Sequence, residues 1–186
     1  MEAKDLRATL KDTLGVATAL NSIGVLYKNQ NDLENALLSF EEALEISKPL
    51  KNDRLFASLY SSVGTVYQAK DEYERAFSYY EKALKYCEAA SFKFGIALAL
   101  LNSGNVLLKM NDFKRAKKRL LKGYAVSKEI KREYFITEAL QKLGWCFYKE
   151  GNIPVAIDYT KKAIKKAEET GDLPVLKDSY EKLAII

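Results

Sequence analysis

Apolar residues recur along this chain at spacings of three and four, which is the period of a helix buried on one side. The pattern covers residues 14–29 and 33–47, and it continues as pairs of helices through residues 53–89, 92–130 and 134–170. Polar pairs such as Asn31-Asp32 and Asn111-Asp112 separate the helices. These residue types can end one helix in a left-handed conformation and cap the next. The pattern therefore predicts an all-α chain of consecutive helix pairs.

The same arrangement returns at a constant interval. GVLYKNQNDLENALLSFEEA begins at Gly24, and matching segments begin at Gly64, Gly104 and Gly144. A glycine inside a helix costs roughly 1 kcal/mol against alanine, so its recurrence in register favours close approach of a neighbouring helix. Small residues also recur in the second helix of each pair, at Ala36, Ala76, Ala116 and Ala156.

These four segments resemble the tetratricopeptide repeat family, and most closely its variety of about 40 residues. The resemblance implies an all-α, right-handed superhelical solenoid of antiparallel helix pairs. The expected organisation is one solenoid domain over residues 1–186. It comprises a partial repeat at 3–14, repeats at about 15–51, 52–91, 92–131 and 132–171, and a partial fifth repeat at 172–186.

Both partial repeats rest on register matches. Ala3, Leu6 and Leu10 align with Ala43, Ile46 and Leu50, which lie in a second helix. A short N-terminal capping helix is the alternative for that segment. Residues 172–186 match a first helix, and here the alternative is a natural apolar cap.

Composition narrows the class of protein. No apolar run approaches the ~20 residues that a membrane span needs, and no signal-peptide pattern stands at the N-terminus. The two cysteines, Cys87 and Cys146, fall in different repeats, which favours reduced thiols and a cytoplasmic setting. We expect no membrane association.

Little in the chain points to catalysis. Histidine, the commonest general base and metal ligand, is absent, and two distant cysteines do not make a zinc site. No glycine-rich phosphate loop occurs. Chemistry through carboxylates stays open in principle, but Glu41, Glu45 and Glu81 have the spacing of solvated helix faces. We expect no enzyme and no catalytic, cofactor-binding or metal-binding residues.

The resemblance also implies where a partner would bind, because first helices line the concave face in this family. Carried over from the family, the partner-binding groove comprises Asn21, Val25, Lys28, Ser61, Thr65, Gln68, Asn105, Leu108, Gln141, Trp145, Tyr148 and Lys149, and Leu101 is carried over as a further groove residue of the third repeat. Amide groups would bond a peptide backbone, and Trp145 and Tyr148 would anchor it. The alternative is a solvated inner face on which Trp145 packs against the last helix. The carboxylate clamp of some family members is excluded, because Val25 stands where the clamp needs asparagine.

Positive charge is concentrated in one segment. The chain carries a net charge of +5, and residues 113–132 hold nine lysines and arginines against one acid, Glu129. Such a segment suits nucleic acid or an acidic partner. It lies on a second helix, however, and lacks interleaved aromatic residues for base stacking. We interpret it as a solvated convex face and expect no nucleic-acid binding.

The sequence therefore predicts a protein- or peptide-binding module that takes its partner on the concave face. Similar arrays of this longer repeat occur in bacterial sensor kinases, Rap-type proteins and kinesin light chains. The resemblance implies a part of a larger bacterial signalling or transcription-regulatory protein. The alternative is a structural scaffold that self-associates weakly through its apolar terminal residues, such as Leu183 and Ile186.

Overall fold

The computed structural model describes the backbone of residues 3–186 and the side chains of residues 12–186. The expected all-α array of antiparallel helix pairs is confirmed. Within the described backbone the helices are α1 (Ala3–Asn29), α2 (Leu33–Ser47), α3 (Asp53–Ala69), α4 (Tyr73–Ala89), α5 (Lys93–Lys109), α6 (Phe113–Glu129), α7 (Glu133–Lys149), α8 (Ile153–Thr170) and α9 (Leu173–Ile185). A short 3-10 turn, Lys48–Leu50, follows α2 and contains Pro49.

Contacts divide the chain into two compact units, Met1–Phe92 and Lys93–Ile186, and the single solenoid domain stays a prediction. In the first unit α1 pairs with α2 and α3 with α4, and α1 also contacts α3. In the second unit α5 pairs with α6 and α7 with α8, while α7 contacts both α5 and α9. Over the described backbone, α2 does not contact α4, and α6 does not contact α8. The first helices therefore form the tighter side of each unit.

Helix α1 differs from expectation at its start. We expected a helix at residues 3–14 to end before the first full repeat, but α1 is one helix of 27 residues. No proline interrupts the segment, and extending a formed helix is far less costly than starting a new one. The proposed alignment of Leu6 and Leu10 with a preceding repeat concerns side chains outside the described residues.

Every helix-to-helix turn from α1 onward uses one residue in the left-handed region. These residues stand at equal intervals along the chain: Asn31, Lys51, Asp71, Ser91, Asn111, Lys131, Gly151 and Gly171. At the first turn the Asp32 N–H donates to the Tyr27 carbonyl at 2.9 Å, which closes a Schellman motif. The predicted stop at Gly171 is confirmed, because Gly171 has φ 70° and Asp172 caps α9.

Side-chain caps follow the predicted turns with one exception. Asp32, Asp112 and Asn152 each accept the backbone N–H three residues ahead. Glu72 does not cap α4, and its longer carboxylate pairs with Arg75 instead, at 2.8 Å.

The small-residue register is a packing requirement, as predicted. A Cβ on Gly24 would lie 2.5 Å from the ring of Phe40. The same relation recurs in each later repeat, between Gly64 and Tyr80, Gly104 and Leu120, and Gly144 and Thr160. The partner that fills each glycine's space thus lies in the second helix of the pair, at a constant offset from the glycine. The alanines of the second register, on the same helices, are fully buried.

Candidate partner-binding site

The aromatic part of the expected groove lies in the second unit. Trp145 on α7 is half-buried, and its ring centroid lies 5.2 Å from that of Tyr148, one turn along the same helix. The Lys149 ammonium lies 4.7 Å from the centroid of the indole and 5.6 Å from the phenol ring. Trp145 and Lys149 are four residues apart and therefore lie next to each other on the same face of the helix. Trp145, Tyr148 and Lys149 form the Trp145 cluster.

Helix α9 contributes a second cation to this cluster. The Lys182 ammonium lies 5.9 Å from the Trp145 ring centroid and also bonds Asp178 on its own helix. Trp145 therefore lies beside α9, as in the interpretation that it packs on the last helix, and it is also half-exposed, as a binding anchor would be. Sequence patterns missed Lys182 because it lies on another helix and outside the groove positions of the family.

Two expected groove residues are used inside the chain. Gln141 is buried, and its amide N–H donates to the Val175 carbonyl of α9 at 3.4 Å. Leu101 is fully buried and fills the space beside Gly123, where a Cβ would lie 2.8 Å from Cδ2 of Leu101. Both residues were expected to line an open groove. Leu101 is buried instead because it packs against Gly123, and Gln141 is buried because it bonds α9.

The remaining expected residues of the second unit lie on α5. Asn105 and Leu108 are half-buried, three residues apart, in the register positions of Trp145 and Tyr148. Because α5 contacts α7, both residues belong to the same first-helix side as the Trp145 cluster.

The first unit places its polar groove residues in internal bonds. Ser62 donates to the Asn21 side-chain oxygen at 3.0 Å, and the Tyr80 hydroxyl donates to the Gln68 side-chain oxygen at 3.1 Å. Thr65 donates to the Ser62 carbonyl at 2.7 Å. Among side chains of residues 12–186, the amide N–H groups of Asn21 and Gln68 have no acceptor, so they are the donors that a ligand backbone could use.

The three other expected groove residues of the first unit differ in exposure. Val25 is exposed, whereas Lys28 and Ser61 are half-buried.

The basic segment at residues 113–132 does not form one surface. Arg115 pairs with Asp112 at 3.2 Å, and Lys117 pairs with Glu150. The Arg132 guanidinium lies 5.5 Å from the Phe94 ring centroid. Part of the charge predicted to be solvated is thus bound within the second unit.

The described side chains provide neither a metal-binding cluster nor an exposed thiol. No group of three or more His, Cys, Asp or Glu within residues 12–186 is placed to hold a metal ion. Both thiols are free and buried, and burial raises the pKa of Cys87 to about 11 and that of Cys146 to about 12. Thiols held in this state are poor nucleophiles near neutral pH. None of the helices in the described part of the chain has the length and apolar composition needed to cross a bilayer.

Comparisons with known families agree with this architecture. Models described as tetratricopeptide repeat match residues 16–48, 55–129 and 138–170. The chain belongs to the tetratricopeptide repeat family. No curated protein matches its sequence.

Solved structures share the fold at low identity. BtubC from P. vanneervenii is 18% identical with a TM-score of 0.77, and the match covers 83% of this chain and 64% of that protein. Aspartyl phosphate phosphatase F from Bacillus subtilis is 21% identical with a TM-score of 0.83, covering 88% and 43%. A signal transduction ATPase from Pyrococcus horikoshii with a tetratricopeptide repeat sensor is 16% identical with a TM-score of 0.79, covering 88% and 25%.

This chain spans less than two thirds of the length of each of these three proteins. At such identities the likeness concerns the fold alone. Family and fold together define the class of protein: a protein-interaction module built from tetratricopeptide repeats.

Proposed function

We propose that the chain binds a segment of a partner protein on its first-helix side, with Trp145 as the main apolar anchor. The observation that carries the proposal is the half-buried indole beside Tyr148, flanked by the ammonium groups of Lys149 and Lys182. Tryptophan and tyrosine dominate binding energy at protein interfaces because they bury large area with few rotatable bonds.

The chemistry of this cluster defines the segment that it fits. An indole accepts an apolar or aromatic side chain, and the Lys149 ammonium next to it favours a carboxylate, whereas the Lys182 ammonium already bonds Asp178. Asn105 and Leu108 on α5 extend the surface with one amide and one apolar side chain. The proposed ligand segment therefore presents an apolar residue with an acidic neighbour.

The first unit offers a different chemistry on its own first-helix side. Lys28 and the amide N–H groups of Asn21 and Gln68 would bond backbone carbonyls of a partner segment. Thr65 and Ser61 lie on the same side as small polar residues. Polar positions of this kind fix orientation more than they supply affinity.

The setting proposed for this module is a larger bacterial signalling or transcription-regulatory protein in the cytoplasm. Support comes from the long form of the repeat and from fold similarity to an aspartyl phosphate phosphatase and to a signal transduction ATPase with a repeat sensor. The module itself would carry no catalytic group and would act by presenting a surface.

Peptides selected on the immobilised chain from a random phage library provide the test. Trp145→Ala should weaken their binding by about 2 kcal/mol, roughly thirtyfold, and leave the melting temperature nearly unchanged. Tyr134→Ala is the matched control, because Tyr134 is an exposed aromatic residue at the far end of the same helix. A large loss of stability with unchanged binding would make Trp145 a core residue that seals α7 against α9. The site would then be sought near Asn21, Thr65 and Asn105.

A second candidate function is self-association, which a separate observation favours. Leu26 and Ile23 on α1 are 61% and 42% exposed. Their register equivalents are buried, namely Val66, Val106 and Cys146 for Leu26, and Val63, Ser103 and Leu143 for Ile23. Copies of the chain would cover this apolar face, with Tyr180 and Ile185 of α9 as exposed apolar residues on the opposing side.

Sedimentation velocity at high protein concentration separates the two functions. Leu26→Glu should abolish association, whereas Leu38→Glu should not, because Leu38 is equally exposed at 63% but stands where other repeats have polar residues. A monomeric native chain would reject self-association and leave the partner-binding function untouched.

A further inference from the structure

The second unit has an open groove on the side of its second helices, α6 and α8, away from the side formed by α5, α7 and α9. It lies between α6 and α8, above the start of α7, and has a volume of about 460 Å³. Its floor is apolar: Ile136 and Leu140 are buried with Ala163, and the half-buried Tyr124 packs against them. An apolar floor of this size can accept one or two side chains of a ligand.

The rim of the groove is strongly basic. Five lysines line it, namely Lys128, Lys131, Lys162, Lys165 and Lys166, against two acids, Glu133 and Glu169. The two acids are both held by Lys166, at 2.9 Å each. Lys162 pairs with Asp158 at 2.6 Å. Among the side chains of residues 12–186, Lys131 and Lys165 form no ion pair, so their charges are available to a ligand.

The first unit contains the equivalent groove, two repeats earlier, with different chemistry. It has a similar volume of about 390 Å³, but Tyr86 stands there in the place of Lys166. Tyr86 stacks on Phe56 at 5.3 Å and on Tyr60 at 5.5 Å between ring centroids. Aromatic rings thus fill the floor of the first groove, which Lys48 and Lys51 also line, whereas the second groove has Ile136 and Leu140 beside Tyr124 on its floor and five lysines on its rim.

We propose that the groove between α6 and α8 binds an acidic segment of a partner protein, with an apolar side chain on its floor and carboxylates beside Lys131 and Lys165. The basic rim favours an acidic ligand because opposite charges attract, and the buried apolar floor favours a peptide that contains an apolar residue. Nucleic acid is disfavoured, because among the described residues that line the groove Tyr124 is the single aromatic ring that could stack on a base. This site is separate from the Trp145 cluster and does not depend on it.

The probe for the test is a fluorescein-labelled peptide in which a leucine is flanked by glutamates. Its affinity for the whole chain is measured by fluorescence anisotropy at low and at physiological salt. Lys131→Glu combined with Lys165→Glu should weaken binding by about tenfold or more, since charge reversal replaces attraction by repulsion at the rim. Lys51→Glu combined with Lys85→Glu is the matched control, because these residues hold the same register in the first unit. The control should bind the peptide as the native chain does.

Changes in the probe test the floor without altering the protein. Replacing the leucine by alanine should weaken binding several-fold, and replacing the glutamates by glutamines should remove it. The proposal is overturned if the native chain does not bind, if both double variants lose affinity equally, or if the alanine peptide binds as well as the leucine peptide. It is also overturned if a labelled oligothymidylate binds more tightly than the peptide. Trp145→Ala should leave this binding unchanged, so the two proposed sites can fail independently.

Discussion

Gly64 lies against the ring of Tyr80 so closely that a Cβ on the glycine would stand 2.8 Å from Cε1 of the tyrosine. Tyr80 is fully buried and its hydroxyl bonds Gln68, so the ring has little freedom to move away. Gly64→Ala should therefore destabilise the chain by about 1–3 kcal/mol, as over-packing of a core does. Urea unfolding followed by circular dichroism measures the change.

Gly15 provides the control for that substitution. It lies in α1, and no atom of a neighbouring element in the described part of the chain comes within 4 Å of the position of a Cβ. Gly15→Ala should stabilise the chain by up to about 1 kcal/mol, because alanine is the better helix former where space is free. If both substitutions change stability in the same direction, the close approach of α3 and α4 is not what selects glycine at position 64.

Ser179→Ala should increase stability. The Ser179 hydroxyl is buried on α9 and has no hydrogen-bond partner among the described residues. Other buried hydroxyls, such as that of Ser127, donate to the carbonyl one turn earlier, but at α9 that carbonyl belongs to Val175 and accepts the amide of Gln141. Removing an unsatisfied buried hydroxyl should gain about 1 kcal/mol, measured by thermal and urea unfolding.

Ser127→Ala serves as the comparison, since its hydroxyl bonds the Gly123 carbonyl at 2.7 Å. This variant should be neutral or destabilised. A loss of stability in Ser179→Ala would mean that the Ser179 hydroxyl has a hydrogen-bond partner.

Alkaline pH should weaken the fold through the buried thiols. Burial raises the pKa of Cys146 from 9.0 to about 12. Between these values the unfolded state has released the proton that the folded state retains, so stability is complete below about pH 9 and falls as pH rises. The upper limit is about 1.4 kcal/mol per pH unit for one thiol.

Urea unfolding at about pH 8 and about pH 10 measures this loss, and Cys146→Ala should reduce it. Burial raises the pKa of Tyr80 in the same direction, so the variant keeps part of the pH dependence. An identical pH dependence in the native chain and the variant would show that Cys146 does not contribute.

Exchanging residues at the left-handed turns should shift stability in opposite directions. Lys51 has φ 46°, in a region that costs an L-residue with a side chain roughly 1–2 kcal/mol. Lys51→Gly should therefore be mildly stabilising, with part of the gain lost to the greater freedom of glycine in the unfolded chain. Gly151 has φ 79°, and Gly151→Ala should cost about 1 kcal/mol. If the melting temperatures of both variants rose, or both fell, this explanation would be contradicted.

The sequence predicted those features that depend on residue type at a fixed spacing. Asn31 and Gly171 carry left-handed turns because asparagine tolerates a positive φ and glycine, without a Cβ, adopts it freely. Gly64 marks a helix crossing because no larger residue fits there. Burial of Gln141 could not be predicted, because it depends on where α9 packs and not on the pattern of α7. The helix start expected near Leu14 differs from the structure, in which α1 continues from Ala3 to Asn29 because extending a helix costs less than starting a new one.

The basic groove was missed for a related reason. Lys131 was assigned to one segment with Lys118 and Lys122, which lie earlier on α6. The fold instead brings Lys131 together with Lys165 and Lys166 of α8, which is separated from it in the chain by the whole of α7. The charge count along the chain therefore predicted a basic surface correctly, but it did not predict which lysines form that surface.

The equal spacing of the left-handed turns restricts how this chain can change its length in evolution. An insertion or deletion of a few residues inside a helix rotates every later residue of that helix away from its partner. Loss of one helix with its turn would reverse the direction of the helices that follow in its unit. Only the gain or loss of a complete repeat, which is two helices with their turns, restores both the direction and the constant offset from each glycine to its partner. Homologous genes should therefore differ in length by whole repeats, or by short loops inserted at the turn residues.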